Sequence, residues 1–294
     1  MSVSDSYTIE VEGCEIKVTN PAKLLWPEAG IHKAMYLQKL VALSPYLLPY
    51  CRDRYMTSIR YPDGAGGKSF YQKHAPDPLP PYVRTAVREE VRYIVVDSLP
   101  TLLWMGNLAA LEFHPSFEYV GGEEPAEWVL DIDPSDALRG RLMEAISLIG
   151  EALEGMGIAS VPKTSGATGV QIVVPILPGY SFEQLRRAGA FVGKYLSEKY
   201  PKLFTVERLI RNRKDLIYVD YVQHAAGKSL SAPYTPRGRP NATVSTPLTW
   251  EEVRRGVDPG AFTLLTIEDR LAEKGDLIGQ APKQSLEEIL RFLK

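Results

Sequence analysis

Trp128-Val129-Leu130-Asp131-Ile132-Asp133 is the stretch on which the fold turns. Large apolar residues at 128, 130 and 132 alternate with Val129, Asp131 and Asp133, the period of two that marks a half-buried strand. Trp128, Leu130 and Ile132 then face a core. Both carboxylates share the opposite face, about 6.5–7 Å apart along the strand. Two like charges at that separation repel by roughly 2–3 kcal/mol at an effective dielectric near 20. A fold tolerates this where water covers both acids, or where a cation lies between them, and hard divalent ions take oxygen ligands of this kind. The D-x-D pattern alone leaves both readings open.

Downstream, Leu138, Leu142, Ile146, Ile149, Leu153 and Met156 step by four and three, which predicts an amphipathic helix of about five turns. Val170, Ile172, Val174 and Ile176 predict a strand, residues 181–199 a helix, and Leu216–Val222 a further strand. That last strand carries one charge, Asp220, in an apolar run. Burying a lone carboxylate costs several kcal/mol, so Asp220 needs a partner: a neighbouring arginine, or a cation shared with Asp131 and Asp133. Thr266…Asp269 and Ser285…Glu288 have the form of capping boxes and mark two C-terminal helices. Upstream, residues 8–18 alternate across Glu12-Gly13 as a hairpin does. A helix over 34–48, a strand near Met56–Tyr61, a proline-rich loop over Lys73–Tyr82, a strand at Val91–Val96 and a helix near Pro100–Leu111 follow. Strands and helices interleave throughout, so the class is mixed α/β (α+β), with two closely packed subdomains sharing a central cleft.

Composition bounds the function. The chain has 294 residues, 34 Lys+Arg, 36 Asp+Glu and a formal net charge of −2. Hydrophobic content of 45% and charged content of 24% are those of an ordinary globular protein and exclude disorder and fibrous repeats. Cys14 and Cys51 form no metal-ligand spacing and no redox pair, and so few cysteines suit a reducing cytosol. The N-terminus lacks the pattern of a signal peptide and no apolar run has the length of a membrane span, so a cytoplasmic protein is expected. The near-neutral average hides segregation. Six acids and no base lie between Gly121 and Asp136, while Arg208–Arg239 holds seven bases against two acids. Such foci fit a site where cations and phosphates meet, or two solvated surfaces that never meet.

Other candidates are individually weak. Thr164-Ser165-Gly166-Ala167-Thr168-Gly169 can turn backbone N–H groups toward an anion, or be a tight loop. It is not a Walker loop, for no Gly-Lys-Ser/Thr follows. Arg237-Gly238-Arg239 follows Pro233-Tyr234-Thr235-Pro236, a rigid turn that can aim two guanidiniums at phosphates. Phe70-Tyr71 lies between Arg60 and Lys73, the mixture of aromatic faces and positive charge found in single-strand binders and also in ordinary cores. His114 closes the apolar run Ala109-Ala110-Leu111-Glu112-Phe113.

Taken in order, V-L-D-I-D-P, K-T-S-G-A-T-G-V-Q, Y-V-D-Y-V-Q-H and A-P-Y-T-P-R-G-R-P resemble the polymerase domain of the prokaryotic end-joining ligase, in the archaeo-eukaryotic primase superfamily. N-P-A-K-L-L-W-P, R-Y-P-D-G…S-F-Y-Q-K-H and A-L-E-F-H-P extend the likeness over roughly Val18 to Leu277. The resemblance implies one primase-polymerase domain. An N-terminal α/β portion over roughly 1–120 would bind DNA and its 5′-phosphate, and an RRM-like catalytic portion would span 121–294. It implies template-directed nucleotide addition at double-strand breaks, by two-metal phosphoryl transfer with Mn²⁺ (or Mg²⁺) and with ribonucleotides preferred. DNA ends bearing a 5′-phosphate, NTP or dNTP, Ku and a separate ligase are the implied partners, with no membrane involved and the protein at the nucleoid.

Position by position, the resemblance assigns Asp131, Asp133 and Asp220 to catalysis and to the metals. Ser165, His114, Gln171, Arg237, Arg239, Phe70 and Tyr71 match nucleotide-binding positions, and Lys23, Lys33, Arg60, Arg213 and Gln223 match DNA-binding ones. Departures are Gln171, where many relatives have His, Thr168 for Lys and His224 for Asn. A metal-dependent nuclease would use the same acids, and a non-catalytic DNA-end platform would need only the bases. A glycosidase is disfavoured because Asp131 and Asp133 leave one strand on the same side.

Overall fold

Ser6–Val11 (β1) and Cys14–Thr19 (β2) pair antiparallel with Ile9 opposite Ile16, about a turn in which Glu12 and Gly13 take positive φ (51° and 75°). Two-residue hairpins need that left-handed pair to match the twist of their strands. The computed structural model describes residues 5–293. The chain forms two compact units that are interleaved in sequence. The first takes the chain up to Ser116, with Ser229–Ser245 and Phe262–Glu273; the second takes Phe117–Lys228, Thr246–Ala261 and Lys274 onward. Arg237 and Arg239 therefore belong with the N-terminal portion, although they lie within 121–294.

In the first unit Leu24–Trp26 (β3) pairs with Ile31–His32 (β4), and His32 caps the helix Lys33–Cys51 (α1) by accepting the Met35 N–H on Nδ1 at 3.2 Å. Its main sheet contains Arg54–Arg60 (β5), Phe70–Gln72 (β6), Thr85–Arg88 (β7) and Val91–Ile94 (β8) in the order β6-β5-β8-β7, with Ala110–Tyr119 (β9) on β5. The core gathers Trp26, Tyr36, Leu40, Leu103, Phe113 and Tyr234, all buried, and the Tyr36 hydroxyl donates to the Ala110 carbonyl at 2.6 Å. The helix predicted over Pro100–Leu111 is Leu99–Asn107 (α2) and stops short. Ala109 turns the chain at φ 59°, and the apolar run after it is a strand. Composition alone cannot separate a short buried strand from a helix end.

The second unit is built on Glu127–Asp133 (β10), the predicted strand, at the centre of a five-stranded sheet. Val161–Thr164 (β11), Val170–Pro175 (β12), Phe204–Thr205 (β13) and Ile217–Asp220 (β14) complete it in the order β11-β12-β10-β14-β13. Trp128, Leu130 and Ile132 are fully buried, as their alternation requires. Leu142–Gly155 (α3) buries Ala145, Ile146, Ile149 and Leu153, and Phe182–Lys199 (α4) buries Leu185, Ala188, Val192 and Leu196. The five-turn helix predicted from Leu138 begins as a 3-10 turn over Asp136–Arg141. The strand predicted to Val222 ends at Asp220, whose Oδ1 accepts the Val222 and Gln223 N–H groups at 3.0 and 2.8 Å and folds the chain away. Helices at Ile267–Lys274 and Glu287–Phe292 stand where the capping patterns put them, and Ser285 Oγ accepts the Glu287 N–H at 3.3 Å and shares a hydrogen bond with the Tyr180 hydroxyl at 3.0 Å. Among the described residues no helix is long and apolar enough to cross a membrane.

Candidate active site

In the second unit the register places Asp131 of β10 directly opposite Asp220 of β14 and opposite Gln171 of β12, with Asp133 opposite Tyr218. Directly opposed residues have Cβ atoms about 4.5–5.5 Å apart, and Asp133 follows Asp131 on the same face. Three carboxylates therefore share one face of the sheet, all half-buried. Burial, then the charge of Asp133 and also that of Asp220, pushes the Asp131 carboxyl up to about 7 against a hydrogen bond from Gln171. Burial and Asp220 raise Asp133 too, with Arg213 opposing. The donor set is all hard oxygen and is penalised for being charged, so its chemistry fits a divalent cation. Among the described residues, however, no group of three His, Cys, Asp or Glu side chains is already drawn together around one metal-sized point.

Gln171 is buried and links Asp131 to Lys163, which is itself only 1% exposed and donates to Gln171 Oε1. Because an ammonium only donates, it fixes the Gln171 oxygen toward itself and the amide N–H toward Asp131. The loop from Thr164 to Gly169 is closed by its own hydrogen bonds. Ser165 N–H donates to the Gly169 carbonyl at 2.9 Å, and Ser165 Oγ accepts the Ala167 and Gly169 N–H groups, each at 3.1 Å. These two N–H groups are turned on the serine, the geometry of a tight loop, one of the two readings the sequence left open. Gly169 also lies against β10: a Cβ there would stand 2.5 Å from the Ile132 carbonyl oxygen and 3.1 Å from Asp133 Oδ1.

Two of the assigned DNA-binding side chains are engaged by their own unit. Arg213 stacks 3.8 Å above the Tyr218 ring and donates to the Glu207 and Arg208 carbonyls at 3.2 and 3.1 Å. Gln223 follows the Asp220 turn, and its Oε1 accepts from Lys228 at 3.5 Å. The exposed bases near them are Arg208, Arg211 and Lys214, beside Ile210, which is 81% exposed.

The first unit holds a second constellation, centred on a residue the sequence reading passed over. Glu112 is 3% exposed. Its Oε2 lies 3.0 Å from His114 Nε2 and 2.8 Å from Arg237 Nε; its Oε1 accepts the Tyr61 hydroxyl at 2.8 Å and the Gly238 N–H at 3.0 Å. Burial alone would raise this carboxyl, but the His114 hydrogen bond, the Arg237 charge and the Gly238 N–H hold it down at about 2. The signal was available: Glu112 and His114 are two apart on a strand and share a face. Arg239, next along the turn, is exposed.

Phe70 and Tyr71 are 45% and 71% exposed on the short strand β6, and the Arg60 guanidinium lies 5.3 Å from the Phe70 ring centre. Two large exposed aromatics with a cation behind them suit stacking on bases. Lys23 and Lys33 are joined through the backbone, Lys33 N–H donating to the Lys23 carbonyl at 2.8 Å. Lys33 does not project from the helix start. It is 4% exposed, and its ammonium donates to the Thr19 carbonyl at 2.6 Å and lies 3.5 Å from Asn107 Oδ1. Burial first, then the charges of Lys23 and Arg60, bring its pKa down to about 8.

Comparison with known proteins gives one consistent answer. Residues 32–278 match the family described as the LigD primase-polymerase domain. The chain is 36% identical over 288 residues to the bifunctional non-homologous end joining protein LigD of Bacillus subtilis, covering 95% of this chain and 47% of that protein. It is 29% identical over 273 residues to the multifunctional LigD of Mycolicibacterium smegmatis, covering 90% and 35%. The chain thus spans half or less of the curated relatives it matches. Among solved structures, the polymerase domain of Mycobacterium tuberculosis ligase D in complex with DNA aligns with a TM-score of 0.82 at 26% identity, over 91% of this chain and 99% of that one.

Proposed function

As this chain belongs to the LigD primase-polymerase family, we propose that it is a template-directed nucleotidyltransferase that fills gaps or extends 3′ ends at DNA double-strand breaks during non-homologous end joining. The observation that carries the reading is the Asp131–Asp220 register with Asp133 on the same face. Asp131, Asp133 and Asp220 would hold divalent cations, with Mn²⁺ preferred to Mg²⁺. Such ions supply charge neutralisation for a triphosphate and acidify a primer hydroxyl. Lys163, through Gln171, keeps the Asp131 carboxylate oriented. Ser165, whose Oγ accepts the Ala167 and Gly169 N–H groups, contacts the incoming triphosphate. In the first unit, Arg237, Arg239 and His114 contact the incoming nucleotide, Phe70 and Tyr71 stack on bases, and the Lys23–Lys33–Arg60 group holds a downstream 5′-phosphate. Exposed Arg208, Arg211 and Lys214 add backbone contacts, whose strength falls with salt. Ribonucleotides are used at least as well as deoxyribonucleotides, and Ku acts on the same ends in the cytoplasm.

The test is primer extension on gapped DNA carrying a downstream 5′-phosphate, with NTPs or dNTPs under Mn²⁺ or Mg²⁺. Stepwise extension that Asp220→Ala abolishes, while DNA binding survives, bears out the reading. Shortening of the primer would replace it with a nuclease, and binding without either change with a DNA-end platform.

A further inference from the structure

Glu112 has no assigned role, yet it is a buried carboxylate that touches four groups of one unit. We propose that Glu112 is a positioning residue for the incoming nucleotide: it fixes the imidazole tautomer of His114 and the guanidinium of Arg237, and it ties both to the Gly238 backbone and the Tyr61 ring. The inference rests on the reading that His114 and Arg237 serve the nucleotide.

A carboxylate can only accept, so the His114 nitrogen 3.0 Å from Oε2 must carry the proton. With the proton on Nε2, Nδ1 is the nitrogen presented to other groups. The same Oε2 is ion-paired with Arg237 Nε at 2.8 Å, one atom serving both the imidazole N–H and the guanidinium. The other oxygen takes the Gly238 N–H and the Tyr61 hydroxyl, so the turn carrying Arg237 is pinned by backbone as well as by side chain. The packing leaves no slack: a Cβ on Gly238 would stand 2.1 Å from a Tyr61 ring atom. Trp26 adds a further tie, its indole N–H donating to the Arg237 carbonyl at 2.9 Å. A carboxylate held near 2 stays ionised across the working range, so the arrangement does not loosen at neutral pH.

Glu112→Gln tests this with little change of shape. Its amide oxygen must stay where two donors point, at Tyr61 and Gly238, which puts the amide N–H₂ against His114 Nε2 and Arg237 Nε. A donor there forces His114 into the Nδ1–H tautomer and repels Arg237. The expected result is a tenfold or greater rise in the KM for NTP on gapped DNA, with the Kd for that DNA within twofold of wild type. The ¹⁵N spectrum of the His114 ring, assigned with His114→Gln, should switch tautomer. Arg237→Ala is run in parallel. If Arg237→Ala raises the KM while Glu112→Gln switches the tautomer and leaves the KM unchanged, the positioning role is overturned and the nucleotide assignment stands. If Arg237→Ala leaves the KM unchanged, the nucleotide assignment itself falls, and the inference with it. A merely structural Glu112 would lower the melting temperature and kcat together without a selective change in KM.

Discussion

Asp131→Asn should make the protein inactive and more stable. Asp131 is held between Asp133 on its own strand and Asp220 directly opposite, and its carboxyl lies at about 7 against an ordinary 3.8. At 1.36 kcal/mol per pKa unit, charging it in the fold above pH 7 costs on the order of 4 kcal/mol; the half-open position lets water screen this to about 2 kcal/mol. Asparagine keeps the shape and still accepts from Gln171, but carries no charge. A gain of about 2 kcal/mol raises the melting temperature of a unit this size by roughly 4–8 °C. The sign with pH follows from linkage. A carboxyl raised in the fold contributes stability that is complete below the unfolded value near 4 and is lost as pH rises through 7. Variant and wild type should therefore melt alike near pH 4, and the variant's advantage should open between pH 4 and 7 and level off above. Mn²⁺ should raise the wild-type melting temperature and narrow the gap, because a cation among the carboxylates removes the repulsion. Differential scanning fluorimetry across pH 4–8, with and without Mn²⁺, reads all three, and primer extension reads the loss of activity. A variant less stable than wild type at pH 7.5, or a gap independent of pH, would refute the claim that these carboxylates are held together against their own repulsion.

Lys33 at about 8 is charged at pH 7 and neutral by pH 9. Preference for a gap with a 5′-phosphate over a 5′-hydroxyl should fall over that range, by at most tenfold per pH unit, and Lys33→Met should flatten the profile; binding titrations at fixed salt decide. Gly169→Ala places a methyl 2.5 Å from the Ile132 carbonyl, so β10 and its loop must part. Loss of stability by 1–3 kcal/mol with at least a tenfold fall in extension is the expected result, and near-normal activity would count against a role for this carboxylate face in extension. His224 is buried between the Phe117 and Phe182 rings, its Nε2–H donating to the Glu127 carbonyl at 2.8 Å, and burial brings its pKa down to about 4. Stability that is complete above pH 6.5 should fall by about 3 kcal/mol toward pH 4, and His224→Asn should remove that slope in melts against pH.

What the sequence made legible followed from burial and periodicity. Alternation at 128–133 gave β10 and the shared face of Asp131 and Asp133, and the lone charge in the 217–220 run marked Asp220 as needing company. That Asp220 faces Asp131 is a matter of register between distant strands, which no local pattern encodes. The helix and strand ends went wrong where one residue overrode a trend: Ala109 at positive φ, and Asp220 capturing two N–H groups. Lys33 is buried although helix starts are normally solvated, because a long-range partner, Asn107, helps to cover it. Glu112 and Lys163 are the instructive omissions. Glu112 stands in the apolar run Ala109–Phe113 and Lys163 in the short apolar strand β11, the very argument that singled out Asp220, and each is buried against a residue two or eight positions away. A buried charge on a strand costs too much to stand without partners, so each such residue marks a polar cluster on the strength of its sequence neighbours alone. Applied evenly, that rule reaches the groups behind the site as well as those at its edge.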